Sequence, residues 1–434
     1  MKKQIYTTLS AFVMGMAICV QAQNYDDYNL KSYKTPDIKR NALDFNFNSD
    51  GGFVTNPGSN NNTFDIKGLI NSSFKRDINT RHFIGEQQVN LDLSGSNMGL
   101  NSISNSKRRN LSSTFQYENS SRFYISDKWF WNTGGNVYFN YDNIKGASDP
   151  VYSTLNFNVS PTIGLGKGRI ESVRDARQAI YILDNLSKKG VITTKLSEEE
   201  INRFSQIIST VKNKRFLDAR IHLIDEITQV DSFLIENNYL KKTGASYFTT
   251  LYDYWQYGDL FARGAGLEFC ANLNPFYVYS NMHPNGTKYV QSGISAKFLV
   301  NYEDPINLYW QQSANASVIL GYNHNSMTFD DTKSSGNERS GLFLGNYGIG
   351  YYPNSRTNLN IGVSEQFRLS NNSISDKTFY TSSTSLVFST YYYISPQLRL
   401  SGNVNLAYND SNDYNLNYDR WNGYYSMTFT YSLF

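Results

Sequence analysis

The chain has 434 residues and a formal net charge of +3, so it lacks the basic surplus of a nucleic-acid-binding surface. Charged residues make up only 18% of the sequence, whereas it contains 34 Tyr and 27 Phe. Once a leader containing Cys19 is removed, Cys270 is the single cysteine, which excludes an intrachain disulfide. Stability must therefore come from hydrogen bonding and packing.

The first 22 residues are typical of a secretory signal peptide. Two lysines precede an apolar core over 11–20, and small residues precede the predicted cleavage point after residue 22. Cys19 raises a lipoprotein alternative, which the bulky Ile18 before it disfavours. We therefore expect an exported protein whose mature chain begins with a polar, extended periplasmic tail over 23–41.

Two regions, 42–167 and 258–434, alternate apolar and polar residues over long spans. Around Phe157, for example, apolar odd positions alternate with Asn156 and Asn158. Runs of nine to eleven residues or more are long enough for tilted strands that cross a membrane. The predicted strands lie at about 42–49, 62–76, 81–95, 107–119, 127–141 and 150–166, and then at 260–273, 288–303, 308–323, 340–352, 357–370, 378–394, 397–409 and 421–434.

The connections between these strands alternate between long and short. The long ones are predicted at 50–61, 95–106, 142–150, 274–287, 325–339 and 410–420, with an intermediate one at 371–377. The short ones are predicted at 77–80, 120–127, 303–307, 353–356 and 395–396. Outer-membrane barrels have short periplasmic turns and longer external loops, so the pattern assigns a side to each connection.

A helical block at 168–257 interrupts the β pattern. Apolar residues at three- and four-residue steps predict three helices, and an aromatic helix is expected near 247–255. Ser197 and Glu200 form a capping box at the start of the second helix. None of these helices has the roughly twenty apolar residues that a membrane span needs. Because eight strands follow, the block falls on the side of the short turns, in the periplasm.

Polar positions on the predicted strands give candidate lumen-lining residues. They are Glu86, Asn90, Asp92, Glu268, Lys297, Asn301, Arg368 and Arg399. Mixed charges and amides suit a wet lumen, although side chains could also fill a closed barrel. In the helical block, Lys212, Lys214 and Arg215 are candidates for docking an acidic partner, with a solvated helix end as the alternative.

The export signal, the Tyr- and Asn-rich strands and the C-terminal segment MTFTYSLF resemble outer-membrane β-barrel proteins of Gram-negative bacteria, particularly Bacteroidota. One departure is that Phe434 is out of phase with the aromatic positions before it. The resemblance implies an all-β transmembrane barrel of about 14 antiparallel strands (12–16) with an inserted α-helical periplasmic domain. It also implies contact with outer-membrane lipids, lipopolysaccharide and the barrel-insertion machinery. No motif of a specific functional family is present.

These features favour a channel or transporter for small solutes, with a helical domain that gates it or docks a periplasmic partner. The alternative is a docking or assembly scaffold of the outer membrane. An outer-membrane enzyme is a lesser alternative, because His283 and His324 lie near Asp330 and Asp331. No Ser–His–acid spacing stands out, and recognition of a triad requires geometry. We therefore expect no enzyme, no cofactor, no metal and no nucleic acid.

Overall fold

A computed structural model describes residues 25–431, except 56–61, 102–105, 127, 147–149, 193, 214–218, 259–260, 285, 374–376, 396–397 and 413–419. The predicted signal peptide therefore lies outside the described residues. None of the described helices is both long and apolar enough to cross a membrane.

One antiparallel sheet of 14 strands contains most of the described chain, and each strand is hydrogen-bonded to the next in sequence. The strands are β1 (Ile38–Val54), β2 (Asn62–Asn79), β3 (Phe83–Asn101), β4 (Ser106–Tyr124), β5 (Trp129–Lys145), β6 (Tyr152–Ser172), β7 (Gly264–His283), β8 (Thr287–Pro305), β9 (Trp310–Phe329), β10 (Thr332–Asn354), β11 (Thr357–Asn372), β12 (Lys377–Ser395), β13 (Leu398–Ser411) and β14 (Trp421–Tyr431). The predicted number of strands and their order agree with this sheet.

The register gives the sheet two chemically different faces. Residues directly opposite each other on neighbouring strands share a face. Phe157 pairs with Phe139 on one side and Tyr279 on the other, which makes an apolar row. The adjacent residue, Asn156, pairs with Asn140 and Ser280, which makes a polar row. We call these the apolar face and the polar face.

The strands are longer than the sequence suggested, and several predicted loops are wrong. β10 has 23 residues, about twice the length that a membrane crossing needs. The expected loop at 325–339 is mostly a hairpin in which Phe329 pairs with Thr332. Asp330 and Asp331 form the two-residue turn with φ of 45° and 64°, the conformation of a type I′ turn. The expected loop at 274–287 likewise shortens to 284–286.

The helical block occupies 173–263 between β6 and β7 and contains four described helices. They are α1 (Arg174–Lys188), α2 (Glu198–Lys212), α3 (Ala219–Glu236) and α4 (Ala245–Tyr257). The predicted capping box is present, since the Ser197 hydroxyl accepts the Glu200 N–H and the Glu200 carboxylate accepts the Ser197 N–H. The block lies at the sheet edge that carries the short connections 80–82, 306–309 and 355–356, which we call the short-turn edge.

The N-terminal segment differs from the free tail expected over 23–41. Its side chains Tyr25, Tyr28, Leu30 and Tyr33 are buried in the same apolar core as the four helices. The Tyr28 hydroxyl donates to Asn202 at 2.6 Å, and burial raises the pKa of Tyr28 to about 12. The segment is therefore part of the helical core, and β1 begins at Ile38 rather than near residue 42.

Candidate solute-facing surface

All eight predicted lumen-lining residues lie on the polar face. They are Glu86, Asn90, Asp92, Glu268, Lys297, Asn301, Arg368 and Arg399, and the register joins them strand by strand through residues of the same face. Their alternation with apolar residues was visible in the sequence. The structure thus places them together on one surface, whereas their function stays a prediction.

Cross-strand contacts hold the three residues on β3 in place. Asn71 Nδ2 donates to Asp92 at 2.5 Å, Ser73 Oγ donates to Asn90 at 2.7 Å, and the Lys75 ammonium lies 2.8 Å from Glu86. On the other strands, Asn315 donates to Asn301, and Arg368 lies 3.5 Å from Glu338. These side chains form a linked polar surface rather than isolated charges.

An ion pair that the sequence did not predict connects β4 with β7. Arg122 Nη1 lies 2.6 Å from Glu268 Oε2, although two strands separate β4 from β7 in the sheet. The Glu268 side chain is 1% exposed. The contact requires the sheet to curve with its polar face on the concave side. The sequence placed residue 122 in the short connection predicted at 120–127, so it assigned Arg122 to neither face and gave no signal that Glu268 is its partner.

Near this ion pair, side chains fill the space over the polar face. Phe130, Tyr124 and Cys270 form a buried cluster, with Ile84 and Leu299 packed against it. Phe130 lies directly across from Gly166. A Cβ at residue 166 would lie 2.1 Å from the Phe130 ring, so glycine is what allows the ring to lie flat on the neighbouring strand. This side of the concave surface is thus closed near the short-turn edge.

A cavity of about 420 Å³ lies beside this cluster on the polar face. Its lining includes the carboxylates of Glu86 and Glu118 and the side chains of Gln88, Asn136 and Thr162. Such a surface offers hydrogen-bond acceptors and donors to a polar solute.

The sheet is irregular next to the cavity. Pairing between β6 and β7 is interrupted between the pairs Val159 with Tyr277 and Ile163 with Leu273. Pro161 and Pro275 lie in the interruption, and neither has an N–H to donate to a ladder. The Asn274 side chain donates to the Thr162 hydroxyl at 2.5 Å and bridges the gap. The cavity wall is therefore held partly by side chains.

The helical block meets the polar face through aromatic and cationic side chains. Arg177 of α1 is 2% exposed, and its guanidinium lies 5.2 Å from the Tyr352 ring centroid. Arg263 packs on the same ring at 5.3 Å and donates to the Leu308 carbonyl oxygen at 2.5 Å. Burial lowers the pKa of Arg263 to about 10, which still leaves it cationic at neutral pH. The Tyr352 hydroxyl donates to Asn360 on the polar face at 3.1 Å. The block is thereby joined to the concave side of the sheet.

The predicted docking residues have different surroundings. The Lys212 ammonium lies 3.1 Å from Asp175 and its side chain is only 12% exposed, so this residue stabilises the block internally. The contact joins α1 to α2, and a docking role for Lys212 stays a prediction. Lys214 and Arg215 lie outside the described residues. Large apolar side chains instead reach the surface of the block, with Ile224 76% and Phe248 54% exposed.

The histidines considered for catalysis are not joined to an acid by any contact within the described ranges. His324 Nδ1 lies 2.8 Å from the Asn337 amide oxygen. Within those ranges, no three His, Cys, Asp or Glu side chains are grouped so that they could hold a metal ion. The absence of enzymatic activity stays a prediction.

No protein-family model matches the chain, and no curated protein matches it. Among solved structures, it is similar to the outer membrane receptor FauA from Bordetella pertussis, with 6% identity and a TM-score of 0.35 over 90% of this chain and 64% of FauA. The chain thus spans less than two thirds of the length of FauA. It is also similar to the transport unit of the autotransporter AIDA-I from Escherichia coli, with 12% identity and a TM-score of 0.20 over 98% of this chain and 97% of that one. A third similarity is to OccK7 from Pseudomonas aeruginosa, with 8% identity and a TM-score of 0.17 over 91% and 98% of the two chains.

Proposed function

We propose that the chain is an outer-membrane β-barrel of a Gram-negative bacterium that conducts or transports small polar solutes. The observation that carries this proposal is the register of the 14 strands, which places mainly apolar side chains on one face and polar ones on the other. An apolar face on every strand suits a hydrocarbon layer, and a concave polar face suits a wet lumen. The 420 Å³ cavity with Glu86 and Glu118 is the candidate solute site.

Transport by this barrel would be gated rather than permanently open. The cluster around Phe130 fills part of the concave surface, and α1 is joined to the same surface through Arg177 and Tyr352. Both lie toward the short-turn edge, which we assign to the periplasm. A shift of the helical block or of this cluster would widen the path. Conduction through a narrow lumen depends on such side chains.

Barrel closure is part of the proposal, and it requires β1 to pair with β14. These are the two outer strands of the sheet, and their residues are largely exposed. In hydrocarbon, each unpaired backbone group costs several kcal/mol, so two free edges would be strongly unfavourable. Where β1 pairs with β14, residues of the same face must then lie opposite each other.

Cysteine crosslinking tests closure. Met427→Cys on β14 is combined in turn with Leu43→Cys, Phe45→Cys and Phe47→Cys on β1, in a Cys270→Ser background. All four positions are on the apolar face, and at least one combination should form an intramolecular disulfide. Asn46→Cys, on the polar face, is the matched control. Absence of every same-face crosslink in the folded protein would contradict closure.

Single-channel conductance of the purified full chain tests transport. Phe130→Ala should raise the conductance or the open fraction, since it removes a fully buried ring from the filled part of the polar face. Phe139→Ala is the matched control on the same strand, because Phe139 lies on the apolar face. If neither wild type nor Phe130→Ala conducts or takes up small solutes into liposomes, the transport function is wrong.

A second candidate function is docking of a periplasmic protein. Ile224, Phe248 and Tyr252 are exposed large apolar residues on α3 and α4, and exposed apolar patches mark interaction surfaces. Replacing Ile224 and Phe248 with Ser should abolish recovery of a partner after crosslinking in cells without changing conductance. Equal recovery with wild type and variant would oppose this candidate.

A further inference from the structure

On the apolar face, Asp304 and Asp410 lie near the ends of β8 and β13, whereas the carboxylate of Glu365 lies in the interior of β11. Glu365 pairs with Gly345 of β10 and Thr384 of β12, and its same-face neighbours along the strand are Val363 and Phe367. Both neighbours are substantially exposed, as expected for lipid-facing residues. An ionisable residue at such a position is costly and marks a functional site by default.

Within the described part of the chain, the carboxylate of Glu365 has hydrogen-bond donors but no ion-pair partner. Ser382 Oγ donates to Glu365 Oε1 at 3.0 Å, and the Thr384 hydroxyl donates to Oε2. Among the described residues, no Lys or Arg forms an ion pair with Glu365. Two neutral donors orient an ionised carboxylate but do not neutralise it. In a hydrocarbon setting, a cation from outside the chain would complete the site.

An apolar groove of about 400 Å³ lies on the same face, and its nearest lining residue, Leu386, pairs with Val363, one apolar-face position from Glu365. Ile361, two apolar-face positions from Glu365, and Leu386, next to Thr384 on the same face, line it. Gly402 also lines the groove, and its missing side chain leaves room between Leu400 and Val404. The groove continues across β12–β14 to Tyr425 and Met427. It therefore offers an apolar channel that begins one apolar-face position from the charged Glu365.

Aromatic side chains locate the charged end near a membrane interface. Thr384 pairs with Tyr408, which pairs with Trp421, and the Tyr408 and Trp421 rings lie 5.0 Å apart. Tyr and Trp on the apolar face of a barrel mark the level of lipid head groups. The groove extends from this row toward the short-turn edge, since Leu400 and Thr390 approach that edge. A lipid in the leaflet far from the short-turn edge would place its head group at this aromatic row and its acyl chain along the groove.

We propose that Glu365, Ser382 and Thr384 bind the primary ammonium head group of a membrane lipid, and that the groove floored by Gly402 holds one of its acyl chains. The proposal rests on the membrane location given under the proposed function. Charge complementarity favours a lipid with a cationic head group, because the Glu365 carboxylate requires a cation. The lining of the groove is apolar and suits an acyl chain. An anionic lipid would meet the carboxylate with like charge.

Native mass spectrometry of the full chain in detergent tests the site with two probes of identical acyl chains, phosphatidylethanolamine and phosphatidylglycerol. Wild type should retain phosphatidylethanolamine about tenfold better, the ratio that one charge-assisted hydrogen bond supplies. Glu365→Gln should remove this preference, and Glu365→Lys should reverse it. Gly402→Leu, which fills the groove, should weaken retention of both lipids. Asp142→Asn on the polar face, outside the solute cavity, is the control for loss of one negative charge and should keep the lipid preference of wild type.

The measurements distinguish failure of the proposed lipid site from failure of the proposed membrane location. Heat-modifiable migration and recovery in the outer-membrane fraction, measured on the same preparations, report the location independently. A membrane protein that retains both lipids equally, or whose preference survives Glu365→Gln, would overturn the lipid site alone. A stable dimer that Glu365→Gln dissociates would identify a second copy as the occupant and would also overturn it. Recovery of the protein as a soluble species would overturn the proposed function itself.

Discussion

At the scale of single residues, the two faces of β6 make opposite predictions for neighbouring positions. Phe157→Arg would place a charge on the apolar face and should destabilise the folded barrel by about 2–4 kcal/mol. Asn156→Arg should be tolerated far better, because Asn156 lies on the polar face, where it donates to Asn140 at 3.2 Å and accepts from Ser280 at 2.7 Å. Denaturant unfolding in liposomes compares the two variants. Equal free energies of unfolding would show that the faces are wrongly assigned.

The ion pair between Arg122 and Glu268 gives a second prediction at this scale. Glu268→Gln should destabilise the barrel by about 1–3 kcal/mol, below the 3–5 kcal/mol typical of fully buried pairs, because the Arg122 side chain is 29% exposed. The double variant Arg122→Met with Glu268→Gln should recover part of this loss, since no unpaired cation remains. A double-mutant cycle from denaturant unfolding measures the coupling. Additive effects of the two changes would show that the pair contributes nothing.

At the scale of elements, the capping box of α2 predicts an acid-dependent contribution to stability. Hydrogen bonds from the Tyr239 hydroxyl and from Ser197 lower the pKa of Glu200 below its usual 4.5. The stabilisation is therefore complete above pH 4.5 and is lost as the pH falls through the lowered value. Ser197→Ala should cost about 1 kcal/mol at neutral pH. Glu200→Gln should destabilise α2 at neutral pH but much less in strong acid, as measured by hydrogen exchange of α2 amides. A pH-independent effect of Glu200→Gln would contradict the role of its charge.

At the element scale, the sequence could predict that the strands exist and on which face their residues lie. It could not predict where the strands end or how distant segments pack. The alternation around Phe157 is a local signal, and so is the Ser197 to Glu200 spacing. The polar sequence at 325–339 has the composition of a loop, yet cross-strand pairing extends β9 and β10 through it to the turn at Asp330 and Asp331. The burial of Tyr25 and Tyr33 could not be predicted, because they pack against helices more than 140 residues away and no local sequence pattern reports that contact.

At the scale of the whole molecule, the site is less predictable than the fold. Alternation assigned the polar residues to one face, but it cannot distinguish an open lumen from one filled by Phe130 and Tyr124. The helical block also depends on distant parts of the chain. Tyr25 and Tyr33 lie in its core, and Arg356 of the β10–β11 turn lies 2.5 Å from Asp253 of α4. Removing 173–263 alone would therefore expose apolar surface from the N-terminal segment.

The side of the membrane on which the helical block lies is the last prediction. Apart from the block, no connection at its sheet edge is longer than four residues, whereas the opposite edge carries connections of seven and nine residues at 55–61 and 412–420, so we expect the block in the periplasm. Lys195→Cys, in a Cys270→Ser background, provides a thiol at an exposed position, where the lysine lies 2.7 Å from Asp27 and 5.7 Å from the Tyr25 ring centroid. In intact cells, a membrane-impermeant thiol reagent should label residue 195 only after the outer membrane is disrupted. Lys333→Cys, near the turn between β9 and β10 at the opposite edge, is the matched control and should be labelled without disruption. Labelling of residue 195 in intact cells together with protection of residue 333 would invert the topology, and the helical block would then face the exterior.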